Sequence, residues 1–286
     1  MNASRAVVLG YPVRHSRSPI VHGHWLKTYG LEGSYEHAEV APENFPDFVR
    51  GFEADGIVGG NVTIPHKEAA FALVDEADEE AAALGAVNTL WLDHGKLHGA
   101  NTDGLGFLAN LDVGAPGWAK DRGVAVVLGA GGAALSVVRA LAGRGFDKVV
   151  VVNRTSSRAE KAARLAGSAG LAIGYDEVWR WLPSANVVVN ATALGMTGKD
   201  PLDLHIGELA QEAVVNDLVY VPLVTNLIAS ARANGNHAVD GLGMLLHQAV
   251  PGFERWFGVR PEVTEELRSL VIADIEGRSG SAPTSA

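Results

Sequence analysis

The sequence predicts an α/β protein in which an N-terminal α/β substrate domain is followed by a Rossmann-type nucleotide-binding domain, with C-terminal helices packing back on the first domain. Short apolar runs alternate with amphipathic segments along nearly the whole chain, which is typical of this fold class. One of these runs, residues 124–128, leads into a glycine-rich segment and then into an apolar stripe at helical spacing. The length of 286 residues suits about two domains.

The domain boundaries are predicted from the same patterns. Residues 1–103 and 240–276 should form the substrate-binding catalytic domain, and residues 104–239 the Rossmann domain. The last stretch, residues 277–286, is small and polar with Gly, Ser and Pro, so we expect a disordered tail.

The spacing of apolar residues predicts the individual elements. In the first domain we expect strands over residues 6–9, 35–40, 57–63 and 89–92, with helices around 20–29, 44–54 and 79–84. In the second domain we expect strands over residues 124–128, 148–152, 187–189 and 214–218. A helix after the glycines carries its apolar stripe at Ala134, Leu135, Val138, Leu141 and Ala142. Another apolar helix runs over residues 242–257, and we expect Pro251 to kink or divide it.

Composition excludes several classes of function. A net charge of −10 argues against a nucleic-acid-binding or membrane-binding surface, although a local site for a small anion remains compatible with it. The chain has no cysteine, so disulfides and thiol chemistry are excluded. It has no apolar run of the ~18 residues that span a bilayer, and its first residues lack the layout of a signal peptide. We therefore expect a cytoplasmic protein. Whether it forms a homodimer is left open.

A glycine-rich loop follows the first strand of the second domain. The dinucleotide fingerprint G-x-G-x-x-G/A fits six residues there: Gly129, Ala130, Gly131, Gly132, Ala133 and Ala134. In this pattern the glycines allow a tight turn and a close approach of the pyrophosphate, which sits on the helix N-terminus. The alternative is that the glycines serve only the junction between strand and helix.

The end of the next strand indicates which dinucleotide binds. An NAD site usually carries an acidic residue there, but this strand ends in Asn153, Arg154 and Thr155, and Arg158 follows. Two guanidinium groups suit the 2′-phosphate of NADP. The alternative is that both arginines only decorate the start of a helix.

A polar cluster lies in four short segments of the first domain, each in a loop or at the end of a predicted strand. These segments contain Ser16 and Ser18; Asn61, Thr63 and Lys67; Asn88 and Thr89; and Asn101, Thr102 and Asp103. Hydroxyl and amide groups bind a small polar acid, and a Lys with an Asp moves a proton when an alcohol becomes a ketone. The alternatives are a solvated surface lysine and an Asn-Thr-Asp turn or helix cap.

The histidines do not predict a metal. His15, His22 and His24 lie close together, but no matching cysteine or carboxylate set accompanies them. From the residues alone we therefore expect an NADP-dependent oxidoreductase of a small polar substrate, without a metal.

Nine ordered segments resemble the shikimate dehydrogenase family. They are HSRSP at 15–19, NVTIPHK at 61–67, GAVNT at 85–89, NTDG at 101–104, GAGGAA at 129–134, NRTSSR at 153–158, NATALGM at 190–196, DLVYVP at 217–222 and DGLGMLLHQ at 240–248. The resemblance extends from about residue 6 to residue 270. It implies reversible NADPH-dependent reduction of 3-dehydroshikimate to shikimate, a step toward chorismate and the aromatic amino acids.

The resemblance also implies roles for individual residues. Substrate contacts would come from Ser16, Ser18, Thr63, Lys67, Asn88, Asp103, Tyr220 and Gln248, with Lys67 and Asp103 as the catalytic pair. Leu218 and Gly241 would line the nicotinamide pocket, and Glu79 would lie on the cofactor side, for which we have no physical account. Lys67 either exchanges the proton of the reacting hydroxyl after partial desolvation or stays charged beside Asp103 and acts as donor and orienter. The cleft between the domains is expected to open and close.

Two positions depart from the family pattern, and rival functions stay open. Gly23 stands where the family usually has Asn, and Asn226 stands where it usually has Pro, so the entry to that helix is expected to differ. The rivals of the same class are a quinate/shikimate or an aminoshikimate dehydrogenase. A rival of a different class is a non-catalytic NADP-binding protein.

Overall fold

The computed structural model describes residues 4–279 of the chain. The chain forms two compact units, residues 1–102 with 248–286 and residues 103–247, and its C-terminal part returns to the first unit. The boundaries between the two domains were predicted after residues 103 and 239, and the structure has them after residues 102 and 247. Among the described residues, no helix has the length and apolar character that a membrane crossing requires.

The first unit is built on a six-stranded mixed sheet with the strand order β2-β1-β3-β5-β6-β4. Strands β1, β2 and β3 run parallel, β5 is antiparallel to both β3 and β6, and β4 is parallel to β6. In chain order its elements are β1 Ser4–Gly10, α1 Ser18–Thr28, β2 Gly33–Glu39, α2 Phe45–Arg50, β3 Ile57–Val62, α3 Lys67–Leu73, β4 Glu76–Ala77, α4 Glu79–Leu84, β5 Thr89–Asp93 and β6 Lys96–Ala100.

Continuous apolar runs form the centre of this unit. Residues Ala6, Val7, Val8 and Leu9 of β1 are at most 2% exposed, because both faces of the sheet are covered. The hairpin between β5 and β6 turns at His94 and Gly95, both with positive φ. Such a two-residue turn matches the right-handed twist of paired strands.

The second unit contains a six-stranded, fully parallel sheet with the order β12-β11-β10-β7-β8-β9, the doubly wound Rossmann arrangement. Its elements are α5 Asp103–Gly114, β7 Val124–Leu128, α6 Gly132–Arg144, β8 Lys148–Val152, α7 Ser156–Ala163, β9 Gly170–Ile173, β10 Ala185–Asn190, β11 Val214–Asp217, α8 Asn226–Ala233 and β12 His237–Val239. Alternate residues of β7 enter two separate cores, with Ala125 and Val127 on one face and Val126 and Leu128 on the other.

Two helices complete the described chain, α9 Leu242–Phe257 and α10 Glu265–Ser279. Of the two outcomes expected at Pro251, division of the first helix is wrong, because α9 continues through the proline. A kink there stays a prediction. Phe253 and Trp256 after the proline are buried, and the Trp256 indole donates to the Leu90 carbonyl at 2.9 Å. This packing offsets the one helical hydrogen bond that a proline removes.

The predicted tail begins too early. Helix α10 extends to Ser279, so residues 277–279 are helical rather than disordered. A buried stripe of Leu267, Val271 and Ile275 at i, i+4 and i+8 holds this helix in the first unit. Residues 280–286 of the predicted tail lie outside the described part of the chain.

Candidate active site

The predicted substrate residues of the first unit meet at one edge of its sheet. Ser16 and Ser18 follow the carboxyl end of β1, and Thr63 follows that of β3. Asn88 precedes β5, which runs antiparallel to β3, and therefore reaches the same edge. The backbone N–H of Asn88 donates to Ala100, the last residue of β6, at 3.0 Å. Strand topology thus gathers residues that are far apart in sequence, as at the ligand-binding edges of other α/β sheets.

The serine loop between β1 and α1 is held by contacts at both of its ends. The Ser16 and Ser18 hydroxyl oxygens lie 3.2 Å apart, and the His37 ring lies 2.9 Å from the Ser16 carbonyl oxygen. Between the serines, the side chain of Arg17 is only 8% exposed, and its Nε lies 3.1 Å from Asp274 Oδ2 on α10. These contacts fix the backbone that carries the Ser16 and Ser18 hydroxyl groups at the start of α1.

Thr63 and Lys67 belong to a tight connection between β3 and α3. The Thr63 N–H donates to the Leu9 carbonyl at 2.8 Å, which fixes it beside β1. His66 precedes the helix, is 1% exposed, stacks on Phe45 and contacts the Val40 carbonyl at 2.7 Å. Lys67 then opens α3, and its carbonyl accepts from the Val87 N–H at 2.9 Å. The contacts of Thr63 and His66 before Lys67, and the hydrogen bond from Val87, position the lysine backbone next to the segment that carries Asn88.

Asn88 is the centre of a buried polar network. It is 2% exposed, and its Oδ1 accepts from the Thr102 N–H and from the Thr89 hydroxyl, each at 2.9 Å. Its Nδ2 lies 3.0 Å from Thr102 Oγ1 and 3.4 Å from Gln248 Oε1. The Thr102 hydroxyl also reaches the Gln248 carbonyl at 2.8 Å. The network brings the predicted residue Gln248 to the sheet edge, with Thr102 as the connection.

The glycine loop of the second unit has the geometry of a pyrophosphate cradle. Gly129 has φ +105, a conformation that favours glycine, and its N–H donates to the Val152 carbonyl at 2.8 Å. Gly131 is the N-cap of α6, with no side-chain cap and no acidic residue in the first turn. A Cβ added at Gly131 or Gly132 would meet no atom within 4 Å. The fold therefore leaves space and backbone donors where a dinucleotide phosphate fits.

The end of β8 fits the 2′-phosphate of NADP. Asn153 follows the strand, and its side-chain amide donates to the Thr155 carbonyl at 3.1 Å. Thr155 is the N-cap of α7 without a side-chain cap bond. Arg154 and Arg158 are exposed, and among residues 4–279 neither has a carboxylate partner. Two unneutralised guanidinium groups at this position suit a phosphate dianion.

A second polar network shapes the loop after β11. Asn190, the last residue of β10, donates to Asp217 Oδ1 at 2.8 Å, and the Thr225 hydroxyl donates to Asp217 Oδ2 at 2.6 Å. Burial raises the pKa of Asp217, opposed by these hydrogen bonds. Thr225 also caps α8, so that helix begins regularly at Asn226 although the family pattern has proline there. The network fixes the path of the chain into the segment 218–222.

Leu218 and Gly241 lie against each other in the second unit. The Leu218 N–H donates to the Asn190 carbonyl at 2.9 Å. A Cβ at Gly241 would collide with the Leu218 carbonyl, so this close approach requires glycine. Tyr220 follows in the same loop, before the cis Val221–Pro222 bond.

The remaining predicted residues belong to other elements of the chain. Asp103 is the first residue of α5 and, like Tyr220, belongs to the second unit, whereas the other predicted substrate residues belong to the first. Helix α5 packs on α6, because a Cβ at Gly104 would lie 3.3 Å from the Ser136 carbonyl. Glu79 is exposed in the first turn of α4, after the Asp78 cap.

Sequence reasoning missed two groups that connect the substrate side chains. Thr102 was predicted as a member of the polar cluster, with a turn as the alternative, but not as the residue whose hydroxyl links Asn88 to Gln248. Tyr35 was predicted only as a strand residue, and its hydroxyl donates to Asn61 Oδ1 at 2.6 Å. A tyrosine at an inward position of a strand is a usable signal, since a buried phenol needs a partner.

Three family profiles match the chain in order. The profile described as shikimate dehydrogenase substrate binding domain matches residues 8–90. The profile described as shikimate/quinate 5-dehydrogenase matches residues 118–197. The profile described as shikimate 5′-dehydrogenase C-terminal domain matches residues 241–265.

Curated relatives and solved structures agree with these profiles. The protein named shikimate dehydrogenase (NADP(+)) of Azorhizobium caulinodans is 55% identical over 274 residues, 96% of this chain and 98% of that protein. A structure of shikimate 5-dehydrogenase from Thermus thermophilus with NADP(H) and shikimate is 36% identical with a TM-score of 0.83, over 94% of this chain and 99% of that chain. A structure of quinate dehydrogenase from Corynebacterium glutamicum with NAD is 29% identical with a TM-score of 0.88, over 95% and 99% of the two chains. The chain belongs to the shikimate dehydrogenase family.

Proposed function

We propose that this protein is an NADP-dependent shikimate dehydrogenase, which reversibly reduces 3-dehydroshikimate to shikimate on the route to chorismate and the aromatic amino acids. The observation that carries the proposal is the convergence of hydroxyl and amide groups at one sheet edge, where Lys67 opens α3, in a chain that is 55% identical to a relative of that name. Hydroxyl and amide groups around a lysine suit a small acid with several hydroxyl groups. A location in the cytoplasm is part of the proposal, since a chain without cysteine needs no oxidising compartment. The homodimer stays a prediction.

The chain's own groups supply binding, orientation and proton transfer. When bound, NADP supplies the hydride acceptor or NADPH the donor. Ser16, Ser18, Thr63, Asn88 and Gln248 would hold the substrate's carboxylate and hydroxyl groups in one orientation, together with Tyr220 and Asp103 of the second unit. Lys67 would exchange the proton of the reacting hydroxyl, or stay charged beside Asp103 and donate to the developing oxyanion.

The cofactor residues support NADP over NAD. The first turn of α6 leaves donors and space for pyrophosphate, and Arg154 and Arg158 stand after β8 without an acidic neighbour on that loop. Leu218 and Gly241 would border the nicotinamide. The relative of Corynebacterium glutamicum is described with NAD and as a quinate dehydrogenase, so both alternatives belong in the test.

The decisive experiment follows nicotinamide absorbance when the purified protein meets shikimate or quinate with NADP or NAD. We expect reduction of NADP with shikimate, and loss of turnover by about 10²-fold or more in Lys67→Ala, because a positioned proton donor or acceptor contributes about that much. Lys27→Ala, which removes an exposed lysine of α1, is the matched control. Folded protein that binds NADP but turns over neither acid would overturn the enzyme proposal and leave a binding protein. A preference for quinate would favour the broader dehydrogenase.

A further inference from the structure

Tyr35 lies in β2, outside every motif that predicted the site, yet its phenol contacts Asn61 of the segment 61–67. The residue is 7% exposed, and its hydroxyl donates to Asn61 Oδ1 at 2.6 Å. Burial raises the pKa of Tyr35 above its ordinary value of 10.0, so the phenol carries its proton at neutral pH. Tyr35 is therefore a donor to Asn61 on β3.

The Asn88 carbonyl and the Tyr35 phenol together hold the Asn61 amide in one orientation. Asn61 is 5% exposed, and its Nδ2 lies 3.3 Å from the Asn88 carbonyl oxygen and 3.4 Å from Thr89 Oγ1. A carbonyl can only accept, so the nitrogen must face Asn88 and the oxygen must face Tyr35. Only one of the two amide orientations satisfies both neighbours.

The series of hydrogen bonds continues from Asn61 to Asn88 and Gln248. Thr89 Oγ1 accepts from Asn61, so its own proton is available for Asn88 Oδ1 at 2.9 Å. With the Thr102 N–H also donating to that oxygen, Asn88 Nδ2 is turned to Gln248 Oε1 at 3.4 Å. The amide oxygen of Gln248 is thereby directed at Asn88, and its amide nitrogen is directed away.

The ring of Tyr35 is also held in place. His22 stacks on it with ring centroids 3.9 Å apart and planes 13° apart, and Trp256 packs at 5.8 Å. A phenol clamped in this way presents its hydroxyl in one direction, which a flexible side chain would not do.

We propose that Tyr35 is a positioning residue, whose hydroxyl satisfies and immobilises Asn61 and so holds the chain Asn61–Thr89–Asn88–Gln248 in the position from which Asn88 and Gln248 face the substrate. The identity of that substrate rests on the proposed function. The hydrogen-bond chain itself does not depend on the proposed function.

The kinetic test uses a variant that lacks only the hydroxyl oxygen of Tyr35. Tyr35→Phe keeps the ring, and we expect the KM for shikimate to rise about three- to tenfold, the equivalent of one lost hydrogen bond, while the KM for NADP stays within about twofold. Tyr29→Phe is the matched control, because its hydroxyl accepts from the Glu262 N–H at 3.1 Å in the same unit and touches no member of the chain. In an Asn88→Ala background, Tyr35→Phe should have no further effect on the KM for shikimate. Equal changes in both KM values, or additive effects in the double variant, would overturn the proposal.

A ligand-free measurement separates this proposal from the proposed function. In ¹⁵N-labelled protein, Tyr35→Phe should shift the side-chain NH₂ signals of Asn61, Asn88 and Gln248 together, and Tyr29→Phe should shift none of them. Movement of the Asn61 signal alone would overturn the proposal. If the wild-type protein does not turn over shikimate, the proposed function fails, and the NMR result still decides the role of Tyr35.

Discussion

Individual glycines of the second unit have different reasons to be glycine. At Gly241 a Cβ would collide with the Leu218 carbonyl, so the fold itself requires glycine. At Gly131 φ is −88, an ordinary value for any residue, and a Cβ would meet no atom within 4 Å. The protein's own packing therefore does not explain Gly131, whereas close approach of a pyrophosphate to the backbone does.

Gly131→Ala should impair cofactor binding without unfolding the protein. We expect the Kd for NADP to rise about tenfold or more, because a methyl group would occupy space that the phosphate needs and one such clash removes about 1.4 kcal/mol. The free energy of unfolding should change by only about 1 kcal/mol, the scale of an altered N-cap. Calorimetric titration with NADP measures the first quantity and urea unfolding the second. Gly143→Ala, also open to a Cβ but inside α6, should leave NADP binding unchanged; equal Kd values in all three proteins would contradict the cradle.

Arg154 should contribute selectivity for the 2′-phosphate. Arg154→Ala is expected to lower kcat/KM for NADP by about ten- to hundredfold, since a charged hydrogen bond contributes about 1.5–3 kcal/mol. The value for NAD should hardly change, because NAD lacks that phosphate. Steady-state kinetics with both cofactors measures the ratio, and Arg164→Ala, an exposed arginine just after α7, is the control. A parallel fall with both cofactors would show that Arg154 acts on something other than the 2′-phosphate.

At the scale of elements, continuous apolar runs bounded by glycine or polar residues were predicted best. The predicted strands 124–128 and 148–152 and the helix 79–84 have the bounds that the structure gives. Short edge strands such as β9 and β12, and the glycine-rich helix α5, were not predicted, because their conformation depends on pairing and packing with distant residues. The glycine of the His94–Gly95 turn is a sequence signal for the β5–β6 hairpin, but apolar runs alone do not contain it.

The candidate site was predictable to a similar degree. The strand ends that carry Ser16 and Thr63 could be located from the sequence, because parallel strands end at a common edge. Asn88 reaches the same edge because β5 runs antiparallel to β3, which the sequence did not reveal. The connections between the site residues could not be located either, because the bond from Tyr35 to Asn61 spans 26 residues and that from Asn88 to Gln248 spans 160. Such contacts follow from tertiary structure alone. The catalytic roles of Lys67 and Asp103 stay predictions.

Helix α1 offers a test of backbone propensity at the position where the family pattern has asparagine. Gly23 is exposed in the interior of this helix, and a Cβ there would meet no atom within 4 Å. Gly23→Ala should therefore raise the free energy of unfolding by about 0.5–1 kcal/mol. Gly30→Ala, just beyond the same helix, should lower it, because Gly30 has φ +62. Urea midpoints at unchanged slope measure both, and stabilisation by both variants would contradict the left-handed conformation of Gly30.

At the scale of the whole molecule, two buried ionisable groups respond to acid with opposite sign. Burial lowers the pKa of His22 from 6.5 to about 3, and the Asn61 side chain opposes this shift. Burial raises the pKa of Asp217 above 3.8. Between pH 6.5 and 3 the folded first unit binds fewer protons at His22 than the unfolded chain does, so acid destabilises it. Just above pH 3.8 the folded second unit binds more protons at Asp217 than the unfolded chain does. Acid therefore removes the destabilisation that the buried, charged Asp217 carboxylate causes. The two units should therefore differ in acid sensitivity.

His22→Leu should make the first unit more resistant to acid. The stability that neutral His22 contributes is complete above pH 6.5 and is lost as the pH falls toward 3; at about pH 4 the loss amounts to about 3 kcal/mol, from about 1.4 kcal/mol per pH unit. Leucine has a similar volume and no proton to bind, so the variant should unfold at lower pH than the wild type. Fluorescence of Trp25 and Trp256, which pack at 5.5 Å from the His22 ring, reports on this region. His24→Gln, on the same helix, should leave the acid midpoint unchanged, and an identical midpoint in His22→Leu would show that His22 does not govern the acid response.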